Sequence, residues 1–350
     1  MSRSPLTGPW VWTGVEMAER QDWVWQWATD EVAELLAAGQ SILRSGRPLE
    51  KISAPDVPLP KTAAKLALIL RDLEAGPGLV NLRGLPADVP PVLLRAVLWA
   101  IGRHLGTPVS QSKHGELLGE VTDTGDRLGD PGARGYRTGG KLRFHTDRCD
   151  VVGLLCVRQS LSGGDSLIVS TPAIHNAMLE RRPDLLELLF QPWYHSRQQE
   201  ERPGEDPWYV NPVFALHQGR FTSQYSRSFI ESAQRFPQVP RLTAAQEEAL
   251  DLLAALAQEL ALHTRMEPGD IQFLNNHVTY HARTALLDHA DQARKRLLYR
   301  LWLAVPNSRA LPEDFAELWG PTAPGAVRGG VVAAAGYRSP LDLTLAGETA

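Results

Sequence analysis

Arg143–Phe144–His145–Thr146–Asp147 (RFHTD) decides how this chain is read, because it sets an imidazole and a carboxylate two residues apart. On a strand, residues i and i+2 face the same side, so His145 and Asp147 converge on one point. A lone pair of this kind arises often by chance and needs a third ligand. The stretch that offers one lies far downstream, in Asn275–Asn276–His277–Val278–Thr279–Tyr280–His281–Ala282–Arg283, behind a Glu267–Pro268–Gly269–Asp270 turn and a short strand at 271–275. Either His277 or His281 completes the set on spacing alone. His104, His114, His175, His195, His217, His263 and His289 have no comparable partner in sequence and read as structural or surface residues.

Two imidazoles and one carboxylate form the facial triad of non-heme Fe(II) oxygenases, which leaves coordination positions open for a chelating cosubstrate and dioxygen. A second signal supports a buried site. In Arg296–Leu297–Leu298–Tyr299–Arg300–Leu301–Trp302–Leu303, the two arginines and Trp302 share strand parity, and the flanking residues are apolar. Cations turned into a protein interior are costly unless anions meet them. Arginine pairs bidentately with carboxylates, which suits a dicarboxylate cosubstrate or an anionic substrate.

Working outward, β-rich runs at 142–148, 151–158, 166–170, 207–215, 271–276 and 296–305 are separated by turn clusters. Helices are expected at 172–190, broken or kinked at Pro183, at 227–235 and at 243–263, the last opened by a Thr243–Gln246 capping box. Upstream, residues 16–38 set Trp23, Trp27, Val32 and Leu35 near a 3.6-residue spacing, with Asp30 as a local cap, which predicts a helix with core tryptophans. A Pro-rich connector at 54–60, a helix at 61–75, a strand at 78–83 and a helix at 90–105 follow. The expected class is α+β: a jelly-roll core with N-terminal and inserted helices. We expect one domain over 1–350, with a helical extension at 1–60 and the core at 80–330. Residues 115–140 hold eight glycines and run directly into RFHTD, as an active-site lid loop would.

Composition narrows the function. With 36 Lys+Arg against 40 Asp+Glu, the formal charge is −4, which argues against a nucleic-acid partner. Hydrophobic residues at 43% exclude a disordered chain. The two cysteines, Cys149 and Cys156, supply neither a disulfide framework nor an all-cysteine zinc site. Cys149 shares strand parity with Asp147 and reads as a small buried hydrophobe. Residues 1–12 lack the apolar stretch of a signal peptide, and no apolar run approaches a membrane span. A cytoplasmic protein with a small-molecule substrate is expected, its last twenty residues a loose tail and its oligomeric state open to a homo-oligomer.

Taken together, FHTD, then GGDS at 163–166, NNHVTYHART and RKRLLYRLWL make the chain resemble the taurine dioxygenase-like (TauD/TfdA) Fe(II)/2-oxoglutarate-dependent oxygenases over about 80–330. The resemblance implies a double-stranded β-helix core in which His145, Asp147 and His281 bind iron, with His281 favoured because the family's distal ligand takes the later position. It implies that Ser166 and Arg296 hold the far carboxylate of 2-oxoglutarate and that Arg300 meets an acidic group of the substrate. Arg294 remains an alternative anchor. An intact Asp147 implies oxidation rather than the halogenation of relatives that lack this carboxylate. Tyr136, Arg137, Asn275, Asn276, Tyr225 and Arg227 are the further substrate-facing candidates.

The expected reaction oxidises a C–H bond of a small anionic substrate, releasing succinate and carbon dioxide. A cupin-like metal-dependent hydrolase and a catalytically silent metal-binding barrel are the competing readings. The first leaves the paired arginines and the GGDS hydroxyl unexplained, and the intact triad argues against the second.

Overall fold

The strand Leu297–Ala304 is buried along its whole length because both of its faces are covered. Its odd residues, Leu297, Tyr299, Leu301 and Leu303, join a core cluster with Val97, Leu98 and Ile101 of the helix Pro91–Leu105. A Cβ at Gly102 would stand 2.1 Å from Leu301 Cδ2, so any side chain at residue 102 would force Leu301 to shift. The even residues turn the other way: Leu298 packs on Cys156, and Trp302 on Val152 and Leu274. Period-2 alternation thus divides the strand into a stability face and an interior face, and Arg300 lies on the second.

The computed structural model describes residues 3–125 and 138–333. It is a mixture of helices and sheets. In the larger sheet, Val24–Gln26, Leu79–Arg83, Ile271–Asn275, Val151–Arg158, Leu297–Ala304 and Thr107–Pro108 lie side by side in that order, and Leu118–Val121 also pairs with Leu297–Ala304. A second, antiparallel sheet runs Leu262–Thr264, Ser166–Ser170, Thr279–Arg283, Leu142–His145. Leu79, Val152, Leu274 and Trp302 of the first sheet share one buried cluster with Ile168 and Leu262 of the second. The outer face of the second sheet, through Leu167, Val169 and Tyr280, is covered by the helices Thr171–Arg181, Pro183–Leu189 and Ala244–Glu259.

The strands at 151–158 and 166–170 and the break at Pro183 match expectation. Several local expectations do not hold. Residues 16–38 are not one helix: Gly14–Glu19 and Thr29–Ser45 flank the strand Val24–Gln26. Trp23, Val24, Trp25, Gln26 and Trp27 alternate, and strand pairing with Asn81–Arg83 sends Trp23 and Trp27 into separate core clusters. Asp30 is not the cap of the second helix. Ala28 is the N-cap residue, and the Glu31 carboxylate takes its N–H at 2.7 Å. The run at 207–215 divides at Val213 into Trp208–Pro212 and Phe214–His217. Residues 118–121 are a sheet strand rather than loop. Most of the glycine-rich remainder lies outside the described residues, as do 334–350. Val331 is buried, and its N–H bonds to Ser110 O at 2.8 Å. Among the described residues no helix is long and apolar enough to cross a membrane.

Candidate metal centre

Two adjacent strands of the smaller sheet build the site. His145, the last residue of Leu142–His145, is the direct cross-strand partner of His281 in Thr279–Arg283. Partners in register point to the same side, and the two rings lie 4.3 Å apart between centroids. The expected strand 142–148 ends at His145, so Asp147 reaches the site from the turn that follows. That turn is pinned: Thr146 N–H donates to Tyr225 O at 2.9 Å, and Asp147 N–H to Asn276 Oδ1 at 3.1 Å.

His145, Asp147 and His281 offer ligand atoms that all lie within 4.8 Å of one another. His145 Nδ1 faces the Arg143 carbonyl at 2.9 Å, which fixes the proton there and leaves the lone pair on Nε2, 3.9 Å from Asp147 Oδ1. His281 Nε2 stands 3.6 Å from Asp147 Oδ2. Asp147 Oδ2 and His281 Nδ1 are buried without a hydrogen-bond partner. A buried carboxylate oxygen in that state is expensive unless a cation meets it. The donor set and the orphaned oxygen both fit a divalent ion.

Electrostatics prepare the same state. Burial would raise the Asp147 carboxyl, but Arg300, His281 and His145 outweigh it and hold it below its ordinary value. Burial and the neighbouring His145 push His281 down to about 3, against the opposing pull of Asp147, so its imidazole stays neutral. His277, left open by spacing, is not at the site. Its Nε2 bonds Asp150 Oδ1 at 2.8 Å and its Nδ1 bonds Thr222 Oγ1 at 2.8 Å, so neither nitrogen remains for a metal. Asp150 is held in addition by Arg328 Nε at 2.8 Å.

Arg294, Arg296 and Arg300 share one parity, and burial rather than parity divides them. Arg296 is 4% exposed, with an unpartnered Nε, while Nη2 donates to Gly164 O at 3.2 Å. Burial and the nearby Arg283 lower its guanidinium to about 10. A Cβ at Gly164, whose φ is +76°, would come within 3.1 Å of Arg296 Nε, so the GGDS turn forms a cradle around this cation. Ser166 opens the adjacent strand directly opposite Arg283. Two neighbouring buried guanidiniums with unmatched N–H groups fit a dicarboxylate. Arg294 lies exposed in the short turn Gln292–Arg294, away from this face. Arg300 stands over the Trp302 ring at 5.0 Å, with Nη1 3.7 Å from Asp147 Oδ1.

A cavity of about 440 Å³ opens over His145 and Asp147, with Arg300 and Trp302 in its wall. Among the described residues, four of the other substrate-facing candidates do not line it. Asn275 bonds Leu73 O and Glu74, and Asn276 bonds Asp147 N and Cys149 Sγ, both inside the core. Tyr225 packs on Tyr280 at 5.1 Å, and Arg227 pairs with Glu231 and Asp251. Tyr136 and Arg137 lie outside the described residues. Cys149 is buried, with Sγ on Val151 O. Sequence reasoning missed Gln111, Arg148, Gln198 and Gln224, which line the cavity. Only the proximity of Arg148 to Asp147 could have flagged any of them.

The family model for the taurine catabolism dioxygenase TauD, TfdA family matches residues 45–302. FR-33289 synthase of Streptomyces rubellomurinus is 33% identical over 331 residues, spanning 91% of this chain and 96% of that protein. Among solved structures, an asparagine oxygenase in complex with Fe(II), 3-hydroxyasparagine and succinate superposes with a TM-score of 0.63 at 20% identity, covering 87% of this chain and 100% of that one. The non-heme iron oxygenase OrfP with iron and alpha-ketoglutaric acid gives 0.61 at 16% identity over 87% of this chain and 99% of its own. Three residues able to hold a metal, a buried arginine beside them and this match across most of the chain agree: the protein belongs to the taurine catabolism dioxygenase TauD, TfdA family and is an Fe(II)/2-oxoglutarate-dependent oxygenase that consumes dioxygen.

Proposed function

We propose that this enzyme hydroxylates a C–H bond of a small anionic substrate, with His145, Asp147 and His281 as the iron ligands. One observation carries the reading: three potential ligand atoms converge, two of their residues line a cavity, and a carboxylate oxygen among them is buried without a hydrogen-bond partner. Arg296 would receive the far carboxylate of 2-oxoglutarate, with the Ser166 hydroxyl beside it. Bound there, iron and its cosubstrate supply the oxidising power. The protein's share is positioning and exclusion of water. Arg300, stacked on Trp302 at the cavity wall, would receive the substrate's acidic group and hold the target carbon over the metal ligands. Asp147 occupies the position that a halide would need, which favours hydroxylation over halogenation.

The two sheets and their shared core support a double-stranded β-helix as the scaffold. We place the enzyme in the cytoplasm, as one domain with 1–60 as an N-terminal extension. Succinate release, screened over small acids and amines, tests the reading and identifies the substrate. Asp147→Ala is expected to abolish iron-dependent succinate formation, and unchanged turnover in that variant would refute the triad.

A further inference from the structure

We infer that Gln111 is a positioning residue for anion recognition, acting through Arg300; the inference rests on the reading of Arg300 given above. Gln111 is 5% exposed and lies in the cavity wall. Its Oε1 accepts the Arg300 Nε–H at 2.7 Å. Its Nε2 donates to the Arg300 carbonyl at 2.8 Å and to the Leu117 carbonyl at 3.1 Å. Because Nε2 faces two carbonyls, the amide has one orientation. A single side chain therefore grips both the main chain and the guanidinium of residue 300.

The grip has a physical purpose. Arg300 Nη1 stands 3.7 Å from Asp147 Oδ1, beyond hydrogen-bond distance. A long, charged side chain beside a buried carboxylate would close that gap unless something restrained it. Gln111 on one edge and the Trp302 ring beneath hold the guanidinium plane short of the metal ligand and turned toward the cavity. Preorganising a planar fork in this way strengthens anion binding by reducing what must be ordered when the ligand arrives.

The test is a double-mutant cycle on anaerobic, ferrous, 2-oxoglutarate-loaded enzyme, titrated calorimetrically with methanesulfonate, a small anion with little affinity for iron. Gln111→Met is expected to weaken methanesulfonate about tenfold while leaving the affinity for 2-oxoglutarate unchanged. Arg300→Lys, which lacks the Nε fork, is expected to weaken it as well. The double variant is then expected to bind no more weakly than Arg300→Lys alone. Additive losses, or a parallel loss of 2-oxoglutarate affinity, would show a merely structural glutamine and overturn the inference. Wild-type enzyme that takes up no methanesulfonate at tens of millimolar would overturn it too. Should Gln111→Met fail to fold, Gln111→Glu keeps the side chain's shape, ties up Arg300 with a carboxylate and is expected to show the same loss. Wild-type enzyme that releases no succinate from 2-oxoglutarate with any substrate would instead sink the oxygenase reading, separately from this cycle.

Discussion

His277 and His281 sit four residues apart, and the same exchange at each should have opposite consequences. His277→Phe keeps the ring's volume beside Trp319, whose ring is 5.1 Å away, but removes both of its hydrogen bonds. One of those goes to a carboxylate, worth about 1.5–3 kcal/mol, and one to a hydroxyl, worth about 1 kcal/mol. Arg328 stays on Asp150 and limits the damage, so the net loss is about 3 kcal/mol. With an unfolding entropy of about 2.1 cal/mol/K per residue, a 350-residue chain should melt about 4 °C lower. Metal binding should survive. His281→Phe removes an imidazole with one unpartnered nitrogen, so the metal-free protein should change by less than about 1 kcal/mol. Its Co(II) affinity should fall more than about 100-fold, since loss of an outer partner alone costs 10–100-fold. Anaerobic Co(II) titration followed by visible absorption, beside metal-free melting curves, reads both quantities. A His277→Phe protein that loses Co(II), with a His281→Phe protein that retains it, would refute the assignment.

Two further outcomes follow from the buried cations and imidazoles. Arg296→Met should weaken 2-oxoglutarate about 100-fold in an anaerobic absorbance titration, in line with about 3 kcal/mol for charge-assisted bonds, whereas Arg294→Met should change it less than about twofold. The reverse pattern would move the anchor to Arg294. His195, stacked on Tyr209 at 4.9 Å, is lowered by burial from 6.5 to about 4. The unfolded chain therefore takes up the proton first. The stability it contributes is complete above about pH 6.5 and is lost toward pH 4, at about 1.4 kcal/mol per pH unit. His195→Phe keeps the stacking and should flatten the fall in unfolding free energy, read from urea titrations between pH 7 and 5, by about 2 kcal/mol; an unaltered slope would show that His195 is not the group responsible.

The candidate metal site was legible because its chemistry restricts residue types: imidazoles and a carboxylate in close spacing leave few alternatives. Parity could not separate Arg296 from Arg294, which share it; burial in the folded chain does. The choice between His277 and His281 was not open to spacing. It turns on Asp150 and Thr222, which only the folded chain brings to His277. Asn275, Asn276 and Tyr225 stand beside the motifs, yet they serve the buried backbone and core, since polar groups inside a protein must be paired. Gln111 was invisible for the converse reason: glutamine carries no spacing signal, and its partner lies far along the chain. The stretch from Trp23 to Trp27 misled because its tryptophans fit a period of 2 as well as one near 3.6, and the edge of the sheet decided between them.

The pairing of His145 with His281 ties metal capture to synthesis of the chain. The two proposed ligands come from strands separated by more than a hundred residues and meet only in register, so a fragment that ends before residue 281 lacks one of them. Under the proposed ligand set, a complete iron site therefore requires a chain synthesised at least through residue 281.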